Sequence, residues 1–131
     1  MQYSKIYSSA SHNDIRQAIR YLKHTLKNQY AANKLFRTIE ATVENLKLFP
    51  NRHPIIDDSL FRLYEIRYVT VNNYLLFYRS IEETKTIYII RFLYARSDWK
   101  RILHNTISYD EYISENIINY IHEEQEEYIK K

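Results

Sequence analysis

The chain contains no glycine among its 131 residues, whereas an average protein devotes about 7% of its positions to this residue. Glycine-rich phosphate loops, dinucleotide-binding turns and nucleophile elbows are therefore excluded, because each needs a backbone without a Cβ. Cysteine is absent as well, which excludes disulfides, zinc–thiolate sites and thiol catalysis. Left-handed turns must be made by other residues, and we expect asparagine to make them.

Length and charge indicate one domain with an acidic end. A chain of 131 residues is expected to form a single domain with a real core. Residues 1–103 carry 17 Lys/Arg and 9 Asp/Glu, a net charge of +8, whereas residues 104–131 carry 2 Lys and 7 Asp/Glu, a net charge of −5. We therefore divide the chain into a domain over 1–104 and an acidic extension over 105–131. The asymmetry indicates either a basic body that meets an anionic partner or a solvated surface with an arbitrary bias.

No segment of the sequence predicts membrane insertion or export. The longest apolar run covers residues 74–78, which is far too short for a membrane span. The first ten residues lack the apolar segment of a signal peptide. We therefore expect a soluble, cytoplasmic protein without a membrane partner.

Two apolar stripes with helical spacing predict an antiparallel helical hairpin. We place the first N-cap at Ser11 and expect Asn28 to end the first helix in a left-handed conformation. Pro50 ends the second helix. The first stripe consists of Ile15, Ala18, Ile19, Leu22 and Leu26. The second consists of Ala32, Leu35, Phe36, Ile39, Val43 and Leu46.

Strands surround this hairpin in the sequence. Alternating residues predict a short strand near the N-terminus, and three antiparallel strands are predicted over 61–71, 74–81 and 85–94. The Asn72–Asn73 turn joins the first two of these, and the third is apolar on both faces and therefore central. A short helix is expected over 98–104.

Another amphipathic helix is expected to open at Ser108. The predicted fold class is thus α+β. It combines an N-terminal strand, a helical hairpin packed on a three- to four-stranded antiparallel sheet, and an extra C-terminal helix.

Arginines are the most informative candidate binding groups. Five lie in or next to the predicted sheet, namely Arg62, Arg67, Arg79, Arg91 and Arg96. A guanidinium on a mainly apolar strand face is costly unless it has a partner. These arginines therefore either pair with carboxylates inside the fold or line a groove that faces phosphate or a protein partner.

Tyrosine and histidine give weaker signals. Most tyrosines of the predicted sheet are best interpreted as packing residues, but Tyr94 precedes a basic turn and is a candidate for stacking on a base. No two histidines have helical metal-ligand spacing, so we expect no metal and no cofactor. His104 is a candidate proton shuttle for RNA cleavage, with a solvated histidine as the simpler interpretation.

The segment 87–99, a strand followed by a basic turn, resembles the end of toxins of the RelE/ParE superfamily from type II toxin–antitoxin systems. The run 73–79 is similar to the preceding strand of those toxins, and the order of motifs agrees over about residues 3–103. The resemblance implies a helical hairpin on a sheet and a cognate antitoxin as partner. It also implies growth inhibition and plasmid stabilisation.

Members of this superfamily differ in their target: RelE-like toxins cleave messenger RNA on the ribosome, and ParE-like toxins poison DNA gyrase. This sequence has Leu75 where many nucleases carry an arginine that stabilises the transition state, and Trp99 where some carry an acid/base tyrosine. Tyr94 and Ala95 replace the usual histidine and glycine. We therefore favour a ParE-like toxin that binds gyrase, with a ribosome-dependent endoribonuclease or a non-toxic relative as alternatives.

The resemblance also implies residue roles. If the protein is a nuclease, its catalytic residues are expected to be Arg67, Arg91, Tyr94 and Arg96. The residues expected to bind the target or the antitoxin are Arg62, Arg67, Arg79, Arg91, Arg96 and Trp99. Homodimerisation is left open. For the acidic extension we favour a structural addition packed on the sheet over a dimerisation element or a cover for the basic groove.

Overall fold

A computed structural model describes residues 2–109. The chain divides into two compact units, Met1–Ser97 and Asp98–Lys131. The first unit contains a strand, a helical hairpin, a short helix and three further strands. In chain order these are β1 (Ser4–Tyr7), α1 (Ser9–Arg20) continued by a π turn (Tyr21–Thr25), α2 (Gln29–Leu48), α3 (Ser59–Leu63), β2 (Arg67–Val71), β3 (Tyr74–Ile81) and β4 (Thr86–Tyr94).

The helical hairpin is confirmed, but its first helix begins earlier than the sequence predicted. Ser8, not Ser11, is the N-cap, and its hydroxyl accepts a hydrogen bond from the Ser11 backbone N–H at 2.9 Å. The Ser8 hydroxyl also donates to the Ile90 carbonyl at 2.8 Å. Ser8 is therefore the better cap because one buried side chain ties the helix start to the sheet.

The joint between α1 and α2 also differs from the prediction. Lys27 takes the left-handed backbone (φ 53°), although we expected Asn28 to do so. Asn28 instead caps α2, and its side-chain oxygen accepts from the Ala31 N–H at 2.9 Å. The amide side chain contributes more as an N-cap, where it satisfies a free N–H of the helix, than as a left-handed end.

The four strands form one sheet in the order β1–β4–β3–β2. The predicted central position of β4 is confirmed. The prediction that the whole sheet is antiparallel is wrong for one pair, because β1 runs parallel to β4, with Ser4 opposite Thr86 and Tyr7 opposite Ile89. The helical hairpin separates β1 from the other strands in sequence and forms the crossover that a parallel pair needs. Asn72 (φ 55°) makes the β2–β3 turn, as predicted.

The segment 61–63 was predicted as strand and is helical. Asp58 caps α3, since its carboxylate accepts from the N–H groups of Leu60 and Phe61 at 3.0 and 3.1 Å. This cap outweighs the strand preference of the apolar residues that follow it. Strand β2 is consequently short and begins only at Arg67.

The main core lies between the hairpin and one face of the sheet. Its helical members include Leu35, Ile39 and Val43, and the sheet contributes Leu76 and Ile89, all nearly inaccessible to water. Burial of such side chains stabilises a fold by about 1.5–3 kcal/mol each. The core therefore fixes the hairpin on the sheet and, with it, the space between β1, α1 and α2.

The second unit is described over residues 98–109, where one helix, α4 (Trp99–Tyr109), buries Leu103 and Ile107. The helix predicted over 98–104 is confirmed and is longer than expected. Ser108 lies inside α4 and donates to the His104 carbonyl at 3.0 Å, so it does not open a new helix. The rest of the predicted C-terminal helix lies outside the described residues. Within residues 2–109, no helix is long and apolar enough to traverse a bilayer.

Candidate functional site

Arg91 is held inside the fold by a carboxylate. Its Nε and Nη2 donate to the two oxygens of Asp14 on α1, at 2.7 and 2.8 Å. Strand β1 ends at Tyr7, so it does not pair with β4 beyond Ile89. Asp14 accepts the Phe92 backbone N–H there at 3.0 Å. Only 20% of the Arg91 side chain and 10% of the Asp14 side chain are exposed. Arg91 is thus one half of a partly buried ion pair.

The side chain of Arg67 binds the loop that follows α2. It lies opposite Tyr78 in the β2–β3 ladder, and its Nη1 donates to the carbonyls of His53 and Asn51. The Tyr78 hydroxyl donates to the Pro50 carbonyl at 3.3 Å. These bonds give the irregular loop the backbone partners that it would otherwise lack.

Burial in this region shifts the pKa values of two side chains, Tyr78 and His53. The Tyr78 phenol is buried, which raises its pKa to about 12, against a smaller lowering by Arg67. Partial burial lowers the pKa of His53, and the charges of Arg52 and Arg67 lower it further. The His53 imidazole is therefore biased towards its neutral form. The backbone carbonyl of the same residue accepts the hydrogen bond from Arg67.

The remaining arginines predicted for the sheet are spread over the unit. Arg62 lies on α3 and forms an exposed ion pair with Asp57 at 2.9 Å. Arg79 is half-buried on β3, and Arg96 is exposed in the turn after β4. The structure therefore does not bring the five arginines to one surface. The other predicted site residue, Trp99, and the candidate His104 belong to the second unit.

Tyr94 lies at the end of β4 and is 45% exposed. Its ring meets that of Tyr74 edge-on at 5.8 Å, and Tyr74 stacks on Phe92 at 4.6 Å. Together with Tyr21 on the π turn, these tyrosines line a cavity of about 580 Å³ beside the β2–β3 turn. Burial and the neighbouring tyrosines raise the pKa of Tyr74, so its hydroxyl stays protonated and can donate a hydrogen bond.

A groove of about 570 Å³ between β1, α1 with its π turn, and α2 collects cations that the sequence analysis did not single out. We call it the basic groove. Its floor and walls include apolar groups from both helices and the strand: Tyr7, Ile15, Ile19, Phe36 and Ile39. Its polar rim consists of Lys5, His12, Arg16, Arg20, Lys23, His24 and Glu40.

A regular spacing places four of the basic residues of the rim together. His12, Arg16, Arg20 and His24 follow one another at intervals of four residues along α1 and the π turn. Residues four apart lie on the same side of a helix. The four-residue spacing is present in the sequence, but it does not by itself show that a strand and a second helix lie beside these residues.

The charge of the basic groove is only partly neutralised. Lys5 binds Glu44 at 3.2 Å, outside the rim, and among the described residues the rim holds a single carboxylate, Glu40. Within residues 2–109, Arg16, Arg20 and Lys23 take part in no ion pair. The groove can therefore bind an anionic group that also offers apolar surface. No three His, Asp or Glu side chains in this part of the chain are placed to hold a metal ion.

Comparisons with known proteins agree with this fold. A search of curated proteins finds no significant match. Among solved structures, the toxin–antitoxin complex RelBE2 from Mycobacterium tuberculosis contains a chain that is 17% identical, with a TM-score of 0.53 over 72% of this chain and 99% of that one. At this identity the likeness concerns the fold alone.

The sequence itself matches a family model over residues 6–99. That model describes the ParE toxin of the type II toxin–antitoxin system parDE. The matched residues extend from the second half of β1 to the first residue of α4 and contain the helical hairpin and the whole of β2, β3 and β4. The chain therefore belongs to the ParE toxin family of type II toxin–antitoxin systems.

Proposed function

We propose that this toxin inhibits growth by binding DNA gyrase rather than by cleaving RNA, and that a cognate antitoxin neutralises it. The observation that carries the proposal is the engagement of Arg67 and Arg91 inside the fold. Arg91 is bound by Asp14, and Arg67 by the carbonyls of residues 51 and 53. Two of the four residues expected to catalyse cleavage are thus used to hold the structure together.

Cleavage of RNA needs a cation at the developing phosphorane charge and groups that move protons, all within reach of one phosphate. Leu75 stands where a nuclease of this superfamily was expected to carry its arginine, and it is buried on β3. Tyr94 and Arg96 are exposed near the end of β4, but Tyr94 packs on Tyr74. These features support action by binding, which needs a surface and no reactive group.

Inducible expression in bacteria tests the proposal. A gyrase poison is expected to trigger the DNA-damage response and filamentation, with transcripts intact. With purified components, the protein is expected to inhibit supercoiling by gyrase and to leave messenger RNA uncut in a translating ribosome extract. Cut transcripts with unaffected supercoiling would overturn the proposal in favour of the endoribonuclease, and normal growth would favour a non-toxic relative.

The variant Arg96→Ala tests whether the turn after β4 takes part in toxicity, whichever the target is. Arg96 is exposed and lies in no ion pair within the described part of the chain, so its loss should not affect folding. We expect it to weaken toxicity at least several-fold. The matched control is Arg37→Ala, which removes an exposed arginine from the outer side of α2, and it should leave toxicity unchanged.

A further inference from the structure

The cavity of about 580 Å³ beside the β2–β3 turn combines aromatic rings with free polar groups. We call it the tyrosine cavity, after Tyr21, Tyr74 and Tyr94 in its wall. Within residues 2–109, the hydroxyls of these three tyrosines form no hydrogen bond. The volume lies in the range of about 300–1,000 Å³ that is usual for small-molecule sites. The cavity is therefore large enough for a ligand and offers it hydrogen bonds.

The walls of the tyrosine cavity are fixed before any ligand arrives. Tyr74 and Tyr94 lie opposite each other in the β3–β4 ladder, and Tyr74 stacks on Phe92 at 4.6 Å. The β2–β3 turn is bound to the end of β4, because the Asn73 carbonyl accepts the Ala95 N–H at 2.8 Å. A preformed site of this kind loses little conformational entropy when it binds.

Charge in the lining favours an anionic ligand. Lys34 on α2 is the single charged side chain among the described residues of the lining, and it takes part in no ion pair within residues 2–109. Tyrosine rings also attract organic cations, but the lysine would repel a cation, and no described carboxylate of the lining would offset that repulsion.

The uncharged groups of the lining favour a flat ring with a polar edge. Tyr21 and Tyr94 are 51% and 45% exposed, so each has ring surface left to stack on a ligand. Asn72 and Asn73 contribute to the same cavity, and an asparagine amide both donates and accepts hydrogen bonds. Burial and the nearby Tyr94 and Tyr21 raise the pKa of Tyr74, which keeps a hydroxyl donor beside these amides.

A nucleotide uses all of these groups, whereas simpler ligands use only some. Inorganic phosphate would leave the tyrosine rings uncovered, and an apolar molecule would leave the hydroxyls and amides without partners, which costs binding free energy. A nucleobase stacks on tyrosine, and the edge of a purine such as adenine exchanges paired hydrogen bonds with asparagine. The single lysine matches one phosphate group.

We propose that the tyrosine cavity binds a free purine nucleoside monophosphate. The base stacks on Tyr21 and Tyr94, the amides of the β2–β3 turn bind its polar edge, and Lys34 binds the phosphate. All of these residues belong to the first unit. The inference does not depend on whether the toxin acts on gyrase or on RNA.

Isothermal titration calorimetry of the full chain tests the proposal, with AMP as the probe at about 0.15 M salt. Adenosine lacks the phosphate, ribose 5-phosphate lacks the base, and UMP has a smaller ring, so we expect each to bind at least fivefold more weakly than AMP. No binding of AMP at about 1 mM, or equal binding of any of these three compounds, would overturn the proposal. A four-nucleotide RNA that binds more than tenfold tighter than AMP would also overturn it, in favour of an RNA strand.

Variants of the aromatic wall locate the binding. Tyr94→Ala should weaken AMP about tenfold, which is typical for the loss of one base–aromatic stack. Tyr94→Phe keeps the ring and should retain affinity within about twofold. The matched control is Tyr30→Ala, which removes a ring that is 70% exposed and lies outside the cavity. Equal effects of Tyr94→Ala and Tyr30→Ala, with both variants folded by circular dichroism, would contradict the proposal.

Variants of charge test the phosphate contact. Lys34→Gln should weaken AMP about fivefold and leave adenosine unaffected, because adenosine has no phosphate. Arg37→Gln removes an exposed arginine of α2 outside the cavity and should change neither affinity. The basic groove is the other place that attracts phosphate, so Arg16→Gln/Arg20→Gln provides a second control and should leave AMP binding unchanged. If either control weakens AMP as much as Lys34→Gln does, the proposed site is wrong.

Discussion

Removal of the Asp14 carboxylate is expected to be among the most destabilising polar substitutions in the first unit. In Asp14→Ala, Arg91 loses two charge-assisted hydrogen bonds and the Phe92 N–H loses its acceptor. Loss of one partner of a buried ion pair typically costs 3–5 kcal/mol. The residual exposure of both side chains, 20% and 10%, places the expected loss near the lower end, at about 3 kcal/mol.

Urea denaturation followed by circular dichroism measures this loss. At a slope of about 2 kcal/mol/M, a loss of about 3 kcal/mol lowers the midpoint by about 1.5 M. The control is Asp57→Ala, which removes a carboxylate that pairs with Arg62 where both side chains are mostly exposed. Such a pair contributes about 0–1 kcal/mol.

A double substitution checks the physical reason. Asp14→Ala/Arg91→Met removes the charge together with its partner, so it should be more stable than Asp14→Ala alone. The reasoning is refuted if Asp14→Ala costs no more than Asp57→Ala, or if the added Arg91→Met change lowers stability further.

Three further predictions concern titration and backbone strain. The pKa of Tyr78 is about 12 in the folded state and about 10 in the unfolded chain, so the folded protein binds the phenolic proton more tightly. Up to about 2–3 kcal/mol of stability should therefore be lost as the pH rises from 10 to 12. Tyr78→Phe should reduce this loss in alkaline unfolding curves, and an unchanged curve would contradict the assignment. The pKa of His53 is lowered, so the unfolded chain binds its proton more readily and stability should fall as pH drops below about 6.5; His53→Gln should flatten that slope in urea titrations at pH 5–7. Lys27→Gly should stabilise the fold by about 0.5–1 kcal/mol because Lys27 has a left-handed backbone. In the control, Lys34→Gly inside α2 should cost about 1 kcal/mol. Thermal melts in which Lys34→Gly is the more stable variant would refute this account.

Most of the fold could be predicted from periodicity. The stripes containing Ile15 and Leu35 identified both helices of the hairpin, and the runs 74–81 and 85–94 identified the two central strands, which the structure places at 74–81 and 86–94. These elements are recognisable because each buries a regular face in the core. The errors fell where a single polar side chain decides the local structure. Asp58 starts a helix at a place that otherwise resembles a strand.

The candidate site was harder to predict because ion pairs between distant residues leave no local pattern. Asp14 and Arg91 are 77 positions apart in the chain, and the residues next to each of them do not indicate that the other is its partner. The arginines of the strands were therefore predicted to be free to bind a partner, although Arg67 and Arg91 are bound within the fold. The cations of the basic groove had a regular spacing, but its meaning depends on α2 and β1 lying beside α1, which only the tertiary structure shows.

The π turn at Tyr21–Thr25 has a consequence for the geometry of charge along the first helix. In an α-helix with 3.6 residues per turn, each step of four residues overshoots a full turn by about 40°. Charges placed every four residues therefore wind gradually around the cylinder. In the π turn the Leu26 N–H reaches back five residues to the Tyr21 carbonyl, so this turn contains more residues than a turn of α-helix. The step from Arg20 to His24 therefore adds no further overshoot, and residue 24 lies closer to the side of residue 12 than an uninterrupted α-helix would place it.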